Sequence, residues 1–159
     1  MRVHVQSEFQ ASADLVWRKV QTVGLLMAVI RPLVRIAVTT DGYPECWTPG
    51  KELCGRLYLF GWLPLGPHAI GIESVDDQRM QIKTREHGLL ASSWDHLIAV
   101  RSTPSGETIY SDTVDIRAGI LTPLVWLFAS VFYRYRHCRW KLLLRCWHKG
   151  HARSIAIMP

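Results

Sequence analysis

The chain reads as an α+β domain in which a curved antiparallel sheet of about seven strands wraps around a long C-terminal helix, with two short helices after the first strand. Three observations predict this class. The N-terminal residues alternate as a half-buried strand does and pass directly into helical spacing. From Val34 to Ile116 the pattern is almost entirely strand and turn. From Thr122 to about Trp147 the apolar residues recur at helical spacing. Strands grouped in one run, with helices set apart from them, mark α+β rather than alternating α/β architecture.

Val3, Val5, Ser7 and Phe9 alternate with His4, Gln6 and Glu8, giving the first strand. Ser12 offers an N-cap to a helix carrying Leu15, Val16, Lys19 and Val20. Gly24 is expected to break it. A second short helix then runs from about Leu25 to Ile30 and stops at Arg31-Pro32, because a residue before proline avoids the helical region. Val34 to Thr40 is the next strand, ending at an Asp41-Gly42 turn. Thr48-Pro49-Gly50 marks a turn before a strand from about Glu52 to Phe60. Gly61 and the Leu63-Pro64-Leu65-Gly66-Pro67 stretch are expected to form a rigid loop. His68 to Ser74 and Gln81 to Glu86 are two further strands around Asp76-Asp77-Gln78.

The last hairpin carries the most information. Ser93 to Thr103 and Glu107 to Arg117 flank Pro104-Ser105-Gly106, a three-residue connection with glycine where a left-handed conformation is usual. That turn pairs Trp94 with Ile116, His96 with Val114, Ile98 with Asp112, and Val100 with Tyr110. All eight share one face. The opposite face, with Asp95, Arg101, Ser111 and Asp115, is wetter, so the first is the inner one.

Thr122-Pro123 starts the long helix with a capping hydroxyl and a proline at its first position. Leu124, Phe128, Val131, Phe132, Tyr135, Cys138, Leu142 and Cys146 form the expected buried stripe. At about 1.5 Å per residue, only a sheet folded around the helix could cover it. The most apolar run, Ile120 to Phe132, is shorter than the roughly 20 residues that cross a bilayer.

A length of 159 residues fits one domain, 1–159, with a core that needs no staples. A composition of 48% hydrophobic and 20% charged residues excludes a disordered chain. The net charge of +6 is one-sided: no Asp or Glu follows Asp115, whereas eight Lys and Arg do, from Arg117 to Arg153. Such an end suits a solvated helix face or an anionic membrane surface. Nucleic acid is the weaker partner, since Arg134, Arg136, Lys141 and Arg145 come with no base-reading element. Cys46, Cys54, Cys138 and Cys146 lack CxxC spacing, and the N-terminus opens on a strand rather than a leader pattern. Free thiols in the cytoplasm are the expectation. His137, Cys138, Cys146, His148 and His151 fit no zinc spacing, and there is no Gly-rich phosphate loop, so neither a metal nor a cofactor is expected.

The element order and particular residues resemble the SRPBCC superfamily, the helix-grip proteins that include START lipid-transfer domains, birch-pollen allergen relatives and polyketide cyclases. The resemblance covers nearly the whole chain. It is strongest, toward a bacterial ligand-binding branch, in Trp94-Asp95-His96, Gly106-Glu107-Thr108, Tyr110-Ser111-Asp112, Gly119-Ile120-Leu121-Thr122 and Phe132-Tyr133-Arg134-Tyr135-Arg136-His137. Ser12-Ala13-Asp14-Leu15-Val16-Trp17 also matches, with Asp14 where many relatives have proline. The resemblance implies a seven-stranded sheet and an apolar cavity between sheet and helix. The cavity would bind a lipid, polyketide or aromatic metabolite.

The expected ligand contacts are Trp94, His96, Ile98, Val100, Tyr110, Asp112 and Val114 from the hairpin, and Phe128, Phe132 and Tyr135 from the helix. Asp112 lies diagonal to His96 on the inner face, within reach of a hydrogen bond. Buried Asp and His need such a partner. The pair can fix register and orient a ligand. In a cyclase- or aromatase-like enzyme it could instead act as a base, with His96, Asp112 and Tyr110 as the catalytic group. Trp62, in an apolar loop, is a candidate for gating a cavity mouth or touching a membrane.

Overall fold

The computed structural model describes residues 1–39 and 44–155, with side chains through Trp147. The expected Asp41-Gly42 turn and the side chains of His148 and His151 lie outside the described residues. Seven strands are present: β1 (Arg2–Phe9), β2 (Val34–Val38), β3 (Glu52–Leu59), β4 (Leu63–Asp76), β5 (Gln81–Gly88), β6 (Ser93–Ser102) and β7 (Thr108–Arg117). They form one sheet in the order β1-β7-β6-β5-β4-β3-β2, with every pairing antiparallel. The helices are α1 (Ala13–Val20), α2 (Val23–Ile30) and α3 (Thr122–Ile155). α1 and α2 thus join the two edge strands, β1 and β2. The core lies between the helices and the inner face of the sheet, where Val16, Val23, Ile30, Ile82, Val114 and Ile116 are almost fully buried.

Ser12 caps α1 as expected, its hydroxyl accepting from the Leu15 amide at 3.4 Å. The break that follows is at Gln21 and Thr22 rather than at Gly24. Thr22 takes an extended conformation, donates to the Lys19 carbonyl and accepts from the Leu25 amide, ending one helix and capping the next. Gly24 sits inside α2, in its first turn.

The Leu63–Pro67 stretch is not a loop. It opens β4 and pairs with β3 through Leu59↔Leu63, Tyr58↔Pro64, Leu57↔Gly66 and Arg56↔Pro67, with a bulge between Leu57 and Tyr58. β5 joins β4 only from His68 onward. Pro64 and Pro67 therefore stand on a local edge, where a missing N–H breaks no ladder. The tight turn is Phe60-Gly61-Trp62, with φ of 53° at Phe60 and 80° at Gly61.

The β6–β7 register is the predicted one: Trp94↔Ile116, His96↔Val114, Ile98↔Asp112 and Val100↔Tyr110. α3 departs further from expectation. It is longer, and it is rotated. Leu124, Val131, Cys138, Leu142 and Cys146 are exposed, and Tyr135 is half-buried. The inward face carries Ala129, Phe132, Tyr133, Arg136, His137, Trp140 and Leu144, again at helical spacing. No described helix is long and apolar enough to cross a membrane.

Candidate functional site

Between the sheet and α3 lies a cavity of about 260 Å³, near the small end of the roughly 300–1,000 Å³ usual for ligand pockets. Its walls are largely apolar. α2 supplies Leu25, Leu26, Val29 and Ile30, the sheet supplies Ile36, Ile70, Ile82 and Ile98, and α3 supplies Phe128 and Phe132. Leu90, Leu121 and Leu124 also line it yet are 40%, 49% and 66% exposed, so they form the rim of an opening.

Of the ten residues expected to meet a ligand, Trp94, His96, Ile98, Tyr110, Asp112, Phe128 and Phe132 line this cavity. Val100 and Val114 are buried in the core rather than at its wall. Tyr135 points elsewhere and donates its hydroxyl to the Arg31 carbonyl at 2.6 Å. Trp62 is exposed at the β3–β4 turn and does not line the cavity.

One end of the cavity is polar. Asp112, 1% exposed, is its centre. Oδ1 lies 2.8 Å from His96 Nε2 and 2.9 Å from the Tyr110 hydroxyl, and Oδ2 lies 2.9 Å from His137 Nε2. Burial works against its charge, but the Arg136 charge, His96 and the hydrogen bonds outweigh burial and hold its carboxyl well below the usual range. An ionised carboxylate can only accept, so both histidine Nε2 atoms carry hydrogens. Burial and the Asp112 charge push the Tyr110 phenol well up, leaving it a donor only to Asp112.

A second carboxylate, Glu86 of β5, completes the cluster. It accepts from His68 Nε2 at 3.0 Å and from the Thr84 hydroxyl at 2.9 Å, and its Oε1 stands 3.6 Å from His96 Nδ1. Burial would raise it, yet the His68 and His96 contacts bring it down to about 2. His96 is therefore held between two carboxylates. Burial pulls its pKa down, but Asp112 and Glu86 together raise it above the ordinary value; Nε2 bonds Asp112 and Nδ1 faces Glu86 at 3.6 Å.

The inward turn of α3 adds Tyr133, Arg136, His137 and Trp140 to the cavity wall. Tyr133 accepts from Trp94 Nε1 at 3.1 Å and packs edge-on to His96. The Arg136 guanidinium lies 4.9 Å over the Tyr133 ring. Reading α3 by its Leu, Val and Cys residues passes over this face. Glu86, His68 and Thr84 are site residues that the hairpin pattern does not reach. The signal for Glu86 was its alternation with Ile82 and Thr84, which places it inward once β5 is registered on β6 through Ile82↔Ile98, Thr84↔His96 and Glu86↔Trp94.

The family model described as "Domain of unknown function (DUF8410)" matches residues 7–145. None of the curated proteins matches the chain. Among solved structures, the chain is similar to a START superfamily protein from Mycobacterium smegmatis, with 15% identity, TM-score 0.69, and 92% of this chain and 98% of that one covered. It is similar to ginseng major latex-like protein 151 from Panax ginseng, with 12% identity, TM-score 0.62, and 89% and 95% covered. It is also similar to Ara h 8.0201, with 11% identity, TM-score 0.65, and 92% and 98% covered. At such identities the likeness is one of fold. That fold is the helix-grip arrangement of the SRPBCC proteins, as the sequence resemblance implied.

Proposed function

The chain belongs to the DUF8410 family, and on that premise we propose that it binds a small, largely apolar ligand in the cavity between the sheet and α3. The observation that carries this reading is the cavity itself: about 260 Å³ of space with apolar walls from α2, the sheet and α3, opening at Leu90, Leu121 and Leu124. A side-chain-filled core at native packing density leaves few voids larger than a water. An apolar void of this size suits a one- or two-ring metabolite or a short acyl chain better than a two-chain lipid.

For His96, Asp112 and Tyr110 the cluster supports an orienting role over catalysis. A general base needs a free lone pair within reach of its substrate. Both His96 nitrogens face carboxylates, and Asp112 already accepts from three donors. The cluster fixes the end of the cavity and leaves no nitrogen of His96 open to a ligand.

The test is uptake. Native mass spectrometry of the purified protein, with titration of the neutral fluorescent probe N-phenyl-1-naphthylamine, should show a retained or added apolar molecule at one per chain. A protein that carries no apolar molecule and leaves probe fluorescence unchanged at saturating concentration would overturn the proposal.

A further inference from the structure

Within the polar cluster, donors and acceptors are unevenly used. The carboxylates are taken: Asp112 receives His96, Tyr110 and His137, and Glu86 receives His68 and Thr84. The donors are not. Besides His137 Nδ1, the donors Arg136 Nε and Trp140 Nε1 are buried without a partner. Both groups can only donate, both residues line the cavity, and at positions i and i+4 they share one face of α3. Arg136 is only 9% exposed, and among the described residues no hydrogen bond or ion pair engages its guanidinium.

Its charge, in contrast, is already answered. Burial lowers its pKa, yet Asp112 first, and Glu86 among others, raise it, so the guanidinium is the distant counter-ion of the two carboxylates. His96 stands between those two carboxylates. A bound anion would add a further negative charge to a buried site that already holds Asp112 and Glu86. A neutral oxygen acceptor would leave the balance intact and meet the open N–H groups.

Building on the ligand-binding reading above, we infer that the ligand carries a neutral carbonyl oxygen, as in a ketone, ester, lactone or amide, which Arg136 and Trp140 hold at the inner end of the cavity while its apolar body runs toward the rim.

The experiment uses three matched probes displacing N-phenyl-1-naphthylamine at pH 7: butylbenzene, butyrophenone and 4-phenylbutyrate. A hydrogen bond to a charged donor predicts that the ketone competes about ten-fold better than the hydrocarbon. It should also compete better than the carboxylate. Arg136→Met should bring ketone and hydrocarbon level while the naphthylamine still binds. Equal competition by ketone and hydrocarbon in the native protein overturns the inference, as does a carboxylate that competes best. A ketone advantage that survives intact in Arg136→Met overturns it too. If that variant does not fold, the native series still decides, and Arg136→Lys, which keeps the charge but not the planar fork, should shrink the ketone's advantage. Failure of the naphthylamine itself to bind refutes the cavity reading, a result distinct from any of these.

Discussion

Glu86→Gln is the sharpest test of the buried cluster because it removes a charge and almost no volume. In the folded protein the Glu86 pKa falls from 4.5 to about 2. At about 1.4 kcal/mol per unit, the ionised form is worth about 3 kcal/mol of stability at pH 7. For a carboxylate with a depressed folded value, this contribution is full above the unfolded pKa and is lost as pH falls through the folded one. Urea unfolding at pH 7 should therefore show the variant about 3 kcal/mol less stable than the native protein. The gap should narrow by roughly 1–2 kcal/mol by pH 3.5, where the unfolded carboxyl is mostly protonated while the folded one is not. His68 and His96 lose a charged acceptor in the variant, so no nearby group is positioned to restore the loss. A variant as stable as the native protein at pH 7, or a gap that stays constant with pH, would refute the argument that Glu86 is ionised and held by the two histidines.

Asp112→Ala should cost more, about 3–5 kcal/mol in urea at pH 7, since it leaves His96, Tyr110 and His137 without their shared acceptor in a site that is nearly solvent-free. His96 has a raised pKa, so its contribution is complete below about pH 6.5 and is lost as pH rises through its folded value; the native protein should lose stability on that alkaline side, and Glu86→Gln should move the loss to lower pH. NMR titration of the His96 ring checks both, and a value at or below that of an unfolded histidine would contradict them. Ile98→Phe places a larger ring at the cavity wall and should weaken naphthylamine binding at least ten-fold while unfolding free energy falls by no more than about 1–3 kcal/mol; unaltered binding would mean the probe sits elsewhere.

The hairpin was legible in the sequence because Pro104-Ser105-Gly106 pins its register, and a pinned register places every side chain on a known face. His96, Tyr110 and Asp112 followed from that alone. Glu86 did not, because a longer link, with pairing resuming only at Glu86↔Trp94, separates β5 from β6 and fixes no register by itself. The start of β4 was hidden by prolines, which mark loops unless the strand is known to lie at a local edge. The α3 stripe is offset about the helix axis: Leu124, Phe128 and Phe132 do line the cavity, whereas Val131, Cys138, Leu142 and Cys146 face out. The exposed side of α3 holds Leu124, Leu127, Val131 and Leu142, and its buried side holds Ser130, Arg136 and His137 among Phe132, Tyr133 and Trp140, so aliphatic periodicity alone misses the centre of the buried face.

What sets that rotation can be argued from the buried face. Phe132, Tyr133 and Trp140 are larger than the aliphatic residues left outside, and aromatic side chains each remove about 150–250 Å² from water. Phe9 and Tyr110 pack edge-on to Trp140 at 5.0 and 4.5 Å. The same rotation brings His137 to Asp112 and Tyr133 to Trp94. Turning the helix by one residue would bury more Leu and Val but withdraw the aromatics and strand a carboxylate inside the sheet, which costs several kcal/mol. Aromatic bulk and polar satisfaction therefore favour one orientation. That orientation leaves Leu121 and Leu124 half out of the protein at the cavity opening. The rim is thus a consequence of the buried cluster, and Asp112→Ala should impair naphthylamine uptake as well as stability, since it removes one of the bonds that hold α3 to the floor of the cavity.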